Sequence, residues 1–192
     1  MWRDAGARAM RFAAVEEFAV DRVAFRWRAR FPVAGPVAIR VVDEYAAGRG
    51  RLEARIFGVP VMRQAGRATV VGEALRYLAE LPWVPHAMAH NPALEWHELG
   101  DHSVEVACRA GVARPAVTIE FDAAGDIVRA GCAARPRLVG KSAVPTPWGG
   151  DYGDYRVLGG MRMPARAEVY WELAGGRFVY WRGSLTAADA AP

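Results

Sequence analysis

Five side chains around one short segment carry the strongest chemical signal in this chain. Arg76, Tyr77 and Glu80, followed by Trp83 and His86, place a guanidinium, a phenol, a carboxylate, an indole and an imidazole close together in sequence. One arrangement of these groups is a binding site. Arg76 would hold an anionic or polar ligand group, and Glu80 would orient it or take a proton. The other arrangement is bland: Arg76 and Glu80, four residues apart, form a surface pair worth about 0.3–0.5 kcal/mol.

A second constellation lies at residues 145–155, which read Pro-Thr-Pro-Trp-Gly-Gly-Asp-Tyr-Gly-Asp-Tyr. Trp148, Tyr152 and Tyr155 suit stacking on a flat ligand, and Asp151 and Asp154 would supply acceptors or a base. The segment reads as part of a Pro- and Gly-rich loop from Pro136 to Gly153, of the kind that serves as a lid or binding segment. The alternative is a loop that closes one end of a sheet, with Trp148 plugging the core.

Other chemistries find less support. His86 and His90 are four apart, but no His-Glu-x-x-His motif is present and Pro85 and Pro92 bracket the segment. A third zinc ligand would have to come from Glu95, Asp101 or His102, while His97 points opposite Trp96, so no metal is expected. Ser103, Ser142 and Ser184 lie in no Gly-x-Ser-x-Gly elbow. Cys108 and Cys132 show no Cys-x-x-Cys spacing and are expected to be free thiols in strands. The Gly-rich turns sit between strands, not between a strand and a helix, so they are not phosphate loops and no cofactor is implied.

The elements that must position these residues are mostly strands. From Val23 to Phe31 the apolar residues Val23, Phe25, Trp27, Ala29 and Phe31 alternate with Arg26, Arg28 and Arg30, which predicts a strand with one buried and one wet face. Phe12 and Phe18 share a face in the segment before it. Val37, Ile39 and Val41 lead into a turn at 46–50, and Leu52, Ala54 and Ile56 return. Gly58 and Pro60 mark a bulge or an edge. Thr69 is placed to cap a helix running to about Leu81. Val70, Val71, Ala74, Leu75, Leu78 and Leu81 form its apolar arc, Glu73, Arg76 and Glu80 lie opposite, and Pro82 ends it. Strands resume at Leu94 and continue to Leu185, with hairpin turns at Ala123–Asp126 and at Ala174–Gly176. The result is a mainly β (α+β) fold: one strongly curved antiparallel sheet, a half-barrel of about ten strands, with one main helix covering the concave face.

The 192 residues are read as a single domain, with residues 1–8 and 187–192 expected to fray. The net charge is +4, and every basic residue except Lys141 is Arg. These arginines spread from Arg3 to Arg182 without a cluster, which argues against a nucleic-acid partner. No run reaches the roughly 18 apolar residues of a membrane span. The N-terminus has no apolar signal-peptide core, so a cytoplasmic location is expected.

Several motifs appear together in a fixed order: Asp43-x-Tyr45 with Gly48-x-Gly50, then Leu75-Arg76-Tyr77-Leu78-x-Glu80-x-Pro82-Trp83-x-Pro85, then Leu94-x-Trp96. Pro147-Trp148, Asp154-Tyr155, Gly160, Pro164, Trp171 and Tyr180 follow. In this the chain resembles a bacterial family of domains of unknown function, whose members are similar to the curved half-barrels of periplasmic lipoprotein carriers with a helix in the concavity. The resemblance implies the fold and leaves the activity open.

Seven Trp and six Tyr, several at the helix exit and in the 145–155 segment, point first to a module that binds an apolar or amphipathic small molecule in the concavity. A cofactor-free enzyme using Glu80, Asp151, Asp154 or His86 as acid or base is the second expectation. A structural or protein-interaction module using the arginine-striped face is the third.

Overall fold

The computed structural model describes residues 9–189. The expected fraying of 1–8 lies outside the described residues, as do 190–192, and 187–189 carry no regular structure. Strands β1 (Ala13–Phe18), β2 (Phe25–Ala34), β3 (Val37–Ala46), β4 (Arg49–Ile56) and β5 (Val59–Ala65) form a five-stranded antiparallel meander. Helix α1 (Arg67–Ala79), a 3-10 turn (Leu81–Trp83) and helix α2 (Pro85–His90) follow. Strands β6 (Glu95–Gly100), β7 (Ser103–Ala107), β8 (Ala116–Phe121), β9 (Ile127–Val139), β10 (Ser142–Leu158), β11 (Met161–Leu173) and β12 (Gly176–Ser184) form a seven-stranded meander.

The expected single sheet of about ten strands is therefore two sheets. The reason lies in the connections. Neighbouring strands pair antiparallel in chain order within each sheet, whereas β5 leads into β6 through the helical segment, so β5 and β6 are both edges. Among the described residues no ladder joins the sheets into a closed barrel. Helix α1 touches β3, β4 and β5 on one side and β8, β9 and β10 on the other. It is wedged between two sheets rather than laid on one, and a single hydrophobic core runs through all three layers.

Local sequence explains most elements. In β2 the predicted alternation holds: Phe25, Trp27, Ala29 and Phe31 are buried, and Arg26, Arg28 and Arg30 are exposed. Arg26 pairs with Glu44 and Arg28 with Glu17 on the wet face. The β3–β4 hairpin turns on Ala47 and Gly48, both at positive φ, as a two-residue turn matched to strand twist requires. β5 was not predicted as a strand. It follows a similar turn at Phe57 and Gly58 and, as an edge strand, tolerates Pro60.

The helix starts before Thr69: Gly66, at φ 99°, is its N-cap, a conformation that glycine adopts without steric cost. Its burial is not confined to the apolar arc. Glu73, Ala74, Leu75, Tyr77, Leu78 and Ala79 are all buried, because a helix between two sheets has little free face.

The region from Pro136 to Gly153, predicted as a loop, is instead the end of β9 and most of β10. Gly140, at φ 62°, turns the chain between β9 and β10, whereas Gly131 and Gly149 within these strands permit close approach between neighbours. A Cβ at Gly131 would lie 2.7 Å from the Trp148 carbonyl oxygen, and one at Gly149 would lie 3.0 Å from the Tyr170 hydroxyl. Gly131→Ala is expected to cost about 1–3 kcal/mol, as overpacking does. Gly153→Ala, which meets nothing within 4 Å, is expected to stay within about 0.5 kcal/mol of the wild type. Urea unfolding midpoints compare the two, and equal midpoints would remove the close-approach account.

Candidate functional site

Antiparallel register lines up one row of side chains across the five-stranded sheet. Glu16 pairs with Trp27, Trp27 with Asp43, Asp43 with Leu52, and Leu52 with Gln64. Directly paired residues point to the same face. The row therefore sets two carboxyl groups beside an indole under α1. Spacings of three and four residues put Glu73, Arg76 and Glu80 on the side of α1 that meets this row.

Arg76 is the hub. Its Nη1 donates to Asp43 Oδ2 at 2.6 Å, its Nη2 to Glu16 Oε1 at 2.8 Å and its Nε to Glu80 Oε1 at 2.9 Å. The guanidinium carbon also lies 4.9 Å from the Phe25 ring centroid and 5.1 Å from that of Trp27. The Arg76 and Glu80 side chains are only 14% and 12% accessible, which excludes the surface pair. Burial works against the Arg76 charge, and Glu80, Glu16, Asp43 and Glu73 more than reverse this, so its pKa is raised.

Arg135, from β9, reaches the same space. Its guanidinium carbon lies 4.1 Å from the Trp148 ring centroid, and Nη2 is 4.0 Å from Glu73 Oε2. Four carboxyl groups thus share a buried volume with two guanidinium groups, and burial raises the pKa of three of them, Glu16, Glu73 and Glu80. Burial first, then the neighbouring Asp43 carboxylate, pushes Glu73 up to about 8. A hydrogen bond to Asp43 adds to this by favouring the protonated form. Burial and then Glu80 raise Glu16 well above the usual range, and burial raises Glu80. As ionised groups, Asp43 Oδ1, Glu73 Oε2 and Glu80 Oε2 would be buried without a hydrogen-bond donor.

A cavity of about 550 Å³ opens beside this cluster, within the size range of small-molecule sites. Trp27, Phe31, Trp148, Trp171, Tyr180 and Trp181 form its aromatic wall. Val41, Leu52, Met62 and Leu138 add an aliphatic side, and Asp43, Glu73, Arg76, Glu80, Arg135 and Arg137 line the polar part.

Among protein families, the model of DUF6544, a family of unknown function, matches residues 1–183. The chain belongs to the DUF6544 family. Neither the curated proteins nor the solved structures give a match.

In this DUF6544 chain the predicted site residues separate into groups. Arg76, Glu80 and Trp148 line the cavity. Tyr77 is fully buried on another side of α1, where its hydroxyl donates to Ala19 O at 3.0 Å and accepts from Asn91 Nδ2 at 2.8 Å. Trp83 donates to Pro164 O at 3.0 Å and meets Tyr152 edge-on. Tyr152 is buried and donates to Ala79 O at 2.6 Å, and Tyr155 donates to Ile127 O at 2.9 Å. Asp151 is bound by Arg129, Arg177 and Tyr170. Asp154 is paired with Arg156, and His86 stacks on His90. None of Tyr77, Trp83, His86, Asp151, Tyr152, Asp154 and Tyr155 lines the cavity.

Among the described residues, no three His, Cys, Asp or Glu side chains form a metal-binding group. No helix there is long and apolar enough to cross a membrane. Cys108 and Cys132 are free, and burial pushes the Cys108 thiol up to about 12.

The tyrosine contacts imply a structural role that is testable for Tyr77. Tyr77→Phe is expected to cost about 1–3 kcal/mol, because Asn91 Nδ2 and Ala19 O lose a partner in a buried setting. Thermal unfolding measures this, and an unchanged midpoint would overturn it.

The candidate site also contains residues that sequence reasoning passed over: Glu16, Glu73, Arg135, and Asp43 as a polar ligand of Arg76. Three of them carried a readable signal. Glu16 is in phase with Phe12 and Phe18, and Asp43 is in phase with Val41 and Tyr45, so each is a carboxylate on an apolar face. Glu73 lies on the same helix face as Arg76 and Glu80. Arg135 carried no comparable signal, because the strand expected from Ile127 reads as ending at about Ala134, whereas β9 continues to Val139.

Proposed function

We propose that this protein binds an apolar or amphipathic small molecule in the cavity between its two sheets. The observation that carries this reading is the cavity itself: about 550 Å³, walled by aromatic rings and bordered by buried charged groups whose hydrogen bonds are incomplete. A space kept only for packing would be filled by side chains, since protein interiors are close-packed. Buried acids and guanidinium groups are also costly to maintain without use.

The test is a small-molecule screen by thermal shift and native mass spectrometry, repeated on Ala68→Trp. Ala68 lines the cavity from α1, and an indole there would occupy part of it and obstruct a ligand. The expected result is a set of compounds that stabilise the wild type and leave the variant unaffected. If no compound stabilises the wild type, or if the variant responds equally, the proposal fails.

One observation favours a second reading. Glu73 is a buried carboxyl held near pKa 8 beside an open cavity, and such a group suits proton transfer at neutral pH. As an acid–base enzyme the protein would convert a bound compound, and Glu73→Gln would bind it without turnover. Bound compounds recovered with unchanged mass and isomer composition would remove this reading.

A further inference from the structure

We propose that Arg135 anchors an anionic head group, so that the ligand of this cavity is a carboxylate or similar compact oxyanion on a flat apolar body. This rests on the cavity being a ligand site, and it moves the anion-holding role from Arg76 to Arg135.

The two arginines differ in what they have left to give. All three nitrogens of Arg76 are engaged by carboxylates at 2.6–2.9 Å. The Arg135 guanidinium carbon lies over Trp148, 4.1 Å from its ring centroid, and 6.0 Å from that of Trp171. A ring contact supplies the guanidinium no oxygen acceptor for its N–H donors. The Arg135 side chain is 11% accessible and lines the cavity. Among the described residues it donates no hydrogen bond, and Glu73 Oε2 at 4.0 Å is its one ion-pair contact. Arg137, also at the cavity, has one long bond of 3.4 Å to Thr146 Oγ1.

The acceptors are different. Glu16, Glu73 and Glu80 are raised toward their protonated forms, and a carboxylic acid is its own donor. Arginine cannot lose its proton and has no acceptor to offer. The unpartnered buried atoms of the cluster are carboxyl oxygens, which a proton can turn into donors, whereas the Arg135 donors have only Glu73 Oε2 at 4.0 Å. A protonated Glu73 adds an O–H donor next to Arg135 and does not compete with an incoming anion. An ammonium group would instead meet the Arg135 charge. The wall of Trp27, Phe31, Trp171 and Trp181 suits a flat apolar body behind the head group.

Three matched probes test this by isothermal titration at pH 7: 2-naphthoate, 2-naphthylmethanol and 2-naphthylmethylammonium. The wild type is expected to bind naphthoate at least about tenfold more tightly than the alcohol, as a charge-assisted contact implies. The ammonium should be the weakest. Arg135→Gln is expected to weaken naphthoate by about tenfold or more and to leave the alcohol within about twofold. Arg135→Lys, which keeps a charge but not the planar fork, should fall between.

If the alcohol or the ammonium binds as tightly as naphthoate, the head-group inference falls while the cavity reading stands. The same holds if Arg135→Gln weakens all three probes alike. If none of the three binds, the head-group inference falls, and the compound screen alone decides the cavity reading. Should Arg135→Gln fail to fold, the ranking of the three probes on the wild type decides the matter alone.

Discussion

Arg76→Met is expected to cost about 3–5 kcal/mol of folding stability at pH 7, the loss typical of removing one partner from a buried ion pair. Against the roughly 5–15 kcal/mol that holds an ordinary domain folded, this approaches unfolding. The loss comes less from the hydrogen bonds themselves than from what remains. Glu16, Asp43 and Glu80 would face each other with no cation among them. Because carboxyls can take up protons, the cost of the substitution should shrink as the pH is lowered. Urea titrations followed by tryptophan fluorescence at pH 5 and pH 7 measure both effects. A cost below about 1 kcal/mol at pH 7 would mean that the cluster behaves as a surface network.

The second large effect is a pH dependence carried by Glu73. Its folded pKa is about 8, against an ordinary value of 4.5. Below 4.5 both the folded and unfolded chains hold this proton. Between 4.5 and 8 the unfolded chain has released it and the folded chain has not, so stability falls as the pH rises. Above 8 both states are ionised and the loss is complete. At about 1.4 kcal/mol per pKa unit the total is of the order of 5 kcal/mol before any relaxation of the site.

Glu73→Gln keeps a neutral, hydrogen-bonding group of the same shape. It should match the wild type near pH 4.5 and exceed it by a few kcal/mol above pH 8. The groups that face Glu73 are Asp43 from β3, Arg76 from α1 and Arg135 from β9. Glu16 and Glu80 are raised in the same direction, so the variant keeps part of the slope. Unfolding midpoints at several pH values decide the question. Parallel curves for wild type and variant would mean that Glu73 is not protonated in the folded protein.

How legible the molecule is depends on the range of the cause. Local alternation predicted β2 residue by residue, since Phe25, Trp27, Ala29 and Phe31 must all leave water together. Turn chemistry located the hairpins near Gly48, Gly125 and Gly176, where φ is positive. Sheet assembly is a different matter. Whether β5 and β6 pair depends on where α1 sits, and helix periodicity carries no such information. The reading of β10 as a loop failed for a similar reason. Gly149 and Gly150 carry the ordinary marks of a turn, and only the neighbouring strands reveal that the missing side chains make room for Tyr170 and Tyr152.

The site follows the same division. Sequence alone determined a mainly β fold with one principal helix, membership of a family of unknown function, and the pairing of Arg76 with Glu80 on one helix face. These are set by residue type and spacing along a single element. Only the tertiary structure decided what that face meets. A helix held between two sheets buries its polar stripe as well as its apolar one. The register of β1, β2 and β3 then brings Glu16 and Asp43 to Arg76 from 60 and 33 residues away. Register along β9, β10 and β11 also sent Asp151, Tyr152, Asp154 and Tyr155 away from the cavity, and packing of α1 against β9 brought Arg135 and Glu73 to 4.0 Å from each other. Burial then raised Glu16, Glu73 and Glu80 toward their protonated forms, because a low-dielectric interior penalises an uncompensated charge far more than water does.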